Sequence, residues 1–239
     1  MEFHYEGNDY KIEVSVPEMP FPEQGFPVLY VLDGEWNGTL VNEIVRTQMQ
    51  MRKQTKLPRM IVVTIAQPAQ QRFQDFTPFS ETYAVSTQFP MSKEGPFGGA
   101  ETFSTFIEEV LKPYVSTHYP AGERTILLGH SLSGYFVMWQ MITQPMRFRS
   151  YIAISPSVWW NDEALVYEDF TELAIHPPAS LYVAVGEFEG SMISPIERLL
   201  SKLPQNFPQK FDVAAEENHL SVFPSVLSKA LRYVQAHKK

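Results

Sequence analysis

The chain has 239 residues, no cysteine, 44% hydrophobic residues and a formal net charge of −8. That size and apolar content suit one α/β domain with a large core, and the acidic balance argues against nucleic acid as a partner. The missing thiols exclude disulfides, cysteine nucleophiles and cysteine-ligated metals, and no stretch reaches the roughly 18 apolar residues of a membrane span.

In chain order, residues 10–16 alternate apolar and polar, as in a half-exposed edge strand. Gly7-Asn8-Asp9 before them is a turn signal, so residues 2–5 are expected to pair with them as a hairpin. Residues 17–27 are proline-rich and read as a loop. Residues 28–32 form an apolar run ending at Asp33-Gly34, which predicts a buried parallel strand and a sharp turn. A helix is expected over 39–54 and a buried strand over 60–66. Residues 67–98 show no periodicity, and a loop that long in a compact domain is usually functional.

Residues 99–118 carry Phe103, Phe106, Ile107, Val110 and Leu111 at helical spacing, with Pro113 expected to end or kink the helix. Further strands are expected over 125–130, 151–155, 181–185 and 210–215. Helices are expected from Leu132 toward Gln144, over 194–203, and over 220–236 with an early interruption at Pro224. The stretch 156–176 is irregular with a short helical part. Alternating strands and helices predict a single domain over 1–239, with a mostly parallel central sheet, helices on both faces and loop insertions forming a partial cap. The start Met1-Glu2-Phe3-His4-Tyr5-Glu6 has neither the basic nor the apolar part of a secretory leader, so a cytoplasmic protein is expected.

Gly129-His130-Ser131-Leu132-Ser133-Gly134 lies where the strand over 125–130 meets the following helix. A serine on such a tight turn is held clear of both elements. The next N–H, that of Leu132, then points at the same space from a helix N-terminus, where developing negative charge is favoured. The usual pattern asks for glycine at position 133; Ser133 is small enough to replace it. The chemistry suited to this turn is nucleophilic attack on an acyl carbon.

In an open α/β sheet, ligands gather at the carboxyl ends of the strands. There the chain places Asp33 to Trp36, Gln67 to Arg72, Ser131, Ser157 to Trp160, Glu187 and Glu189, then Asn218 and His219. His219 is the expected base, because it alone of six histidines follows the last strand and precedes the last helix. His130 is expected to point away from Ser131 as a structural residue. Glu189, three residues after Gly186, is the expected acid, with Glu187 and Asp162 as alternatives. The second oxyanion donor is expected from Gly34 or Glu35. Serine, acid and histidine in this chain order match the α/β-hydrolase arrangement.

Six ordered motifs carry a family resemblance: Tyr30-Val31-Leu32-Asp33-Gly34, Arg72-x-x-Asp75-x-Thr77-Pro78, Gly98-Gly99-Ala100-x-x-Phe103, the Ser131 turn, Ser155-Pro156-Ser157-x-Trp159-Trp160, and His219. Together they resemble the putative-esterase branch of the α/β hydrolases, with the trilactone-siderophore esterases as the most similar subgroup. The resemblance implies a serine carboxylester hydrolase that needs no metal or organic cofactor, acts on a small-molecule ester, and is a monomer or homodimer. It also implies that Arg72 contacts an anionic part of the ligand; a surface pair with Asp75 is the alternative. Trp159 and Trp160 are candidates to stack on an aromatic group, although two adjacent tryptophans cannot face the same way and one belongs to the core. Two rival readings remain: a binding protein on a hydrolase scaffold, and an acyltransferase using the same triad.

Overall fold

The apolar runs assemble into one sheet in the computed structural model, which describes residues 1–18, 20–84 and 95–237. The strands are β1 (Glu2–Tyr5), β2 (Asn8–Ser15), β3 (Phe26–Val31), β4 (Ile61–Ala66), β5 (Ala121–His130), β6 (Ser150–Ile154), β7 (Ser180–Gly186) and β8 (Gln209–Ala214). Their order across the sheet is β1-β2-β4-β3-β5-β6-β7-β8. From β4 to β8 every pairing is parallel, while β1 and β2 add an antiparallel edge. The edge strand is therefore β1 and not β2, which lies inside it against β4.

Successive residues of a strand point to opposite faces, and both faces here are covered. Tyr30, Val63, Leu127, Ala153 and Val183 pack on one side with Phe103, Phe106, Phe136 and Met141. Leu29, Val31, Val62, Leu128 and Ile152 pack on the other with Val41, Val45, Val226, Leu227 and Leu231. Each fully buried side chain of this kind contributes about 1.5–3 kcal/mol against exposure. The helix Leu132–Thr143 is buried from Leu132 to Ile142, as expected of a helix apolar on every side. No helix among the described residues is long and apolar enough to cross a membrane.

Three sequence expectations need correction. The first helix runs Gly34–Gln50, five residues earlier than expected. Asp33 turns left-handed at φ 53°, and its carbonyl accepts from Trp36 and Asn37 N–H, closing the first turn despite Gly34 and Gly38. Of the two effects expected of Pro113, the helix begun at Ala100 does not end there: a π-helical stretch, Phe106–Leu111, breaks the regular register just before it and the chain continues helically through Lys112–His118. Proline donates no N–H and crowds the carbonyl one turn before it, and the wider π register lies where that carbonyl loses its helical partner. Pro224 does not interrupt the helix Val222–Ala236 because it sits in the first turn, where N–H groups have no intrahelical acceptor.

The two longest insertions meet each other above the sheet. Ala84 N–H donates to Asn161 Oδ1 at 2.8 Å. Trp160 packs among Phe73, Tyr83 and Phe97, with ring centroids 5.0–6.4 Å apart. Residues 85–94 of the expected long loop lie outside the described residues.

Candidate active site

The strand β5 ends at His130, and Ser131 takes φ 60°, ψ −119° before the helix Leu132–Thr143 begins. A non-glycine residue with such a backbone costs about 1–3 kcal/mol and persists only where its surroundings impose it. Here two glycines impose it. A Cβ on Gly129 would lie 2.4 Å from the Ser133 carbonyl oxygen, and one on Gly134 would lie 3.1 Å from Ile154 O and Pro156 Cα. Ser133 closes the turn itself: its Oγ accepts from His130 N–H at 2.9 Å and donates to His130 C=O at 2.8 Å. The serine that departs from the usual glycine thus supplies two hydrogen bonds a glycine could not.

After β8 the chain turns through Glu216 and reaches His219. The His219 Nε2 atom lies 2.9 Å from Ser131 Oγ, and Nδ1 lies 2.5 Å from Glu189 Oε1. A carboxylate only accepts, so Nδ1 carries the proton and the Nε2 lone pair faces the serine hydroxyl. Glu189 stands at the N-terminus of the helix Gly190–Leu200 and is buried. Its other oxygen accepts from Ser155 Oγ and from Gly186 N–H, both at 2.7 Å. Burial alone would raise this carboxyl, but the bonds from His219, Ser155 and Gly186 outweigh it and hold it below the ordinary glutamate value.

The competing acids stand elsewhere. Glu187 is exposed and its Oε2 accepts from Glu216 N–H at 2.8 Å, so it ties down the loop that carries His219. Asp162 is exposed on the insertion after β6. The His130 side chain lies beside the elbow and turns to the loop that carries His219. Its ring packs 4.7 Å from that of His219, and its Nε2 lies 2.8 Å from the His219 carbonyl oxygen. Burial, then the neighbouring His219, pushes its pKa down to about 4.

Leu132, Gly34 and Glu35 open their helices, where N–H groups have no intrahelical acceptor. A bond from Leu32 N–H to Leu128 C=O at 3.0 Å keeps the two turns side by side. Arg72 is the first residue of a short helix, Arg72–Phe76, where a loop was expected. It forks onto Asp33, with Nε to Oδ1 at 2.6 Å and Nη2 to Oδ2 at 3.0 Å, and lies between the Trp36 and Phe76 rings. Its partner is therefore not Asp75. That residue is fully buried, accepts from Gln71 Nε2 and Tyr10 Oη, and has its pKa pushed up to about 7 by burial. Trp160 belongs to the core and Trp159 is half-buried beside it. Ser157 N–H donates to Ser131 C=O at 3.1 Å, which sets this segment against the nucleophile turn.

Sequence reasoning missed Ser155 and the role of Ser133. Ser155 occupies the carboxyl end of β6, level with Ser131 and the Glu189 turn on the flanking strands; that placement was a usable signal. A hollow of about 540 Å³ does not include Ser131. It opens over β1, β2 and β4 and shares only Gly34 and Glu35 with the region around the serine. Among the described residues no group of three or more His, Asp or Glu side chains could hold a metal ion.

A family model described as putative esterase matches residues 4–228. The ferri-bacillibactin esterase BesA of Bacillus subtilis is 33% identical, over 98% of this chain and 87% of its own. The siderophore enterobactin esterase of Emericella nidulans is 31% identical, over 66% of this chain and 57% of its own. The crystal structure of the BES protein from Bacillus cereus superposes with a TM-score of 0.87 at 32% identity, covering 98% of this chain and 94% of that one.

Proposed function

Because this chain belongs to the putative-esterase family and is a carboxylic ester hydrolase of the α/β-hydrolase fold, we propose that it works through a Ser131-His219-Glu189 triad and a covalent acyl-enzyme on siderophore-type esters. The observation that carries this reading is the unbroken line of hydrogen bonds from Ser131 Oγ through the His219 ring to Glu189.

Ser131 Oγ attacks the ester carbonyl while His219 Nε2 takes its proton. Glu189 keeps the imidazole in the Nδ1–H form and stabilises the cation. The carbonyl oxygen becomes an anion held by Leu132 N–H and by Gly34 or Glu35 N–H. As the intermediate collapses, His219 returns the proton to the departing alcohol, leaving an ester on Ser131. Water then repeats the sequence, freeing the acid and restoring the serine. Arg72, already neutralised by Asp33, presents a fixed guanidinium edge near this centre, and Trp36, 65% exposed against it, offers a ring face. Trp159, half-buried two residues after Ser157, whose N–H donates to Ser131 C=O, is a second aromatic candidate.

The choice of siderophore-type ester draws support from the names of the two curated relatives. The test is incubation with a trilactone siderophore, free and ferric, with products followed by liquid chromatography. Stepwise opening of the lactone ring, lost in Ser131→Ala, is expected. Turnover of p-nitrophenyl esters without any of the trilactone would remove the substrate assignment, and full activity in Ser131→Ala would remove the triad.

A further inference from the structure

We propose that His130 is a positioning residue for the hydrolytic reaction: by donating Nε2–H to the His219 backbone carbonyl, it fixes the catalytic imidazole over Ser131. The proposal rests on the triad reading above.

Three observations carry it. First, a backbone carbonyl only accepts, so the 2.8 Å contact forces His130 into the Nε2–H form and makes it a donor. Second, the loop that bears His219 is held on one side by the acid's turn, through Glu216 N–H to Glu187 and Phe188 N–H to Glu217 C=O. Asn218 and Ser221 brace it internally. On the nucleophile's side, among the described residues, the only anchor apart from the triad contact itself is His130. Third, His130 is covalently joined to Ser131, so a bond from it to His219 links nucleophile and base by the shortest route the fold offers.

The packing agrees. The His130 ring lies against the His219 ring at 4.7 Å and against Phe223 at 5.4 Å. The His219 side chain is 40% exposed, so solvent alone would leave its position loose. The charged and titratable groups that face His130 are His219, Asp33 and Glu189. A neutral His130 adds no repulsion when His219 becomes an imidazolium.

Three variants test this, with circular dichroism as the fold check. His130→Leu keeps bulk and removes the donor. His130→Gln places an amide N–H where Nε2 stands, and His130→Asn stops short of it. Misplacing a catalytic group by about 1 Å costs on the order of 100-fold. For His130→Leu we expect kcat for p-nitrophenyl acetate to fall about 30- to 100-fold with KM nearly unchanged, and His130→Gln to recover most of the loss. Should His130→Leu not fold, the Gln variant is expected to exceed Asn at least tenfold in kcat. The proposal is overturned if His130→Leu stays within threefold of the parent, if Gln is no better than a folded Leu or Asn variant, or if KM alone changes. His219→Ala, run alongside, separates the two readings: retained activity there would refute the triad, whereas its loss with an active His130→Leu would refute only the clamp.

Discussion

Replacing Ser155 with alanine removes one of three hydrogen bonds to the Glu189 carboxylate and leaves the backbone bond from Gly186 in place. The site is fully buried, so water does not replace the lost donor without opening the core. A hydrogen bond to a charged group contributes about 1.5–3 kcal/mol. In a domain of this size each kcal/mol lowers Tm by roughly 2–4 °C, so a fall of about 3–12 °C at pH 7 is expected. The pH dependence follows from the direction of the Glu189 shift. Its folded-state carboxyl is held below the ordinary value, so its contribution is fully present above the unfolded value of about 4.3 and is lost as pH falls through the lower folded value. The gap between parent and variant should therefore be full at pH 7 and narrow below about pH 4. Differential scanning calorimetry at both ends of that range reads it directly. A gap that stays constant with pH, or a loss under about 0.5 kcal/mol at pH 7, would show that Ser155 does not act through the ionised Glu189.

Other outcomes follow from the same geometry. Ser131→Gly should abolish ester hydrolysis and stabilise the protein by about 1 kcal/mol in chemical denaturation, because glycine accepts φ 60°, ψ −119° without penalty. Gly129→Ala should give little soluble protein or a variant with sharply lowered kcat, read from expression yield and p-nitrophenyl acetate turnover, since its Cβ would sit 2.4 Å from the Ser133 carbonyl oxygen. Asp33→Asn should destabilise by about 3 kcal/mol in urea, because it strands an Arg72 side chain that is only 14% exposed.

The strands were legible because buried parallel strands read as continuous apolar runs, and β3 to β7 each contain one. The helix Leu132–Thr143 was legible as the segment between the Ser131 turn and Gln144-Pro145. The start of the first helix was not, since Gly34 and Gly38 argue against helix by propensity. Only tertiary contact explains Gly38, where a Cβ would meet Thr64 Cγ2 at 3.0 Å. Around Ser131 the order of motifs pointed to His219, and the offset from Gly186 put Glu189 ahead of Glu187 and Asp162 without excluding either. Two residues of offset after Gly186 turn one carboxyl inward to His219 and the other outward to Glu216 N–H. The ion pair of Arg72 was not legible: Asp75, the partner in the alternative reading, is near in sequence, whereas Asp33 reaches Arg72 from the turn after β3.

The helix that follows Ser131 is buried from Leu132 to Ile142, while His219 rides on a surface loop beside Leu220, itself 80% exposed. Amide hydrogens of a segment so enclosed exchange through near-global opening, whereas those of an exposed loop exchange through local fluctuations of low free energy. Ser131 and His219 therefore belong to regions of very different persistence. On heating, the loop that carries His219 is expected to be released while the helix after Ser131 still holds its protons, so activity should disappear at a lower temperature than the protein's secondary structure.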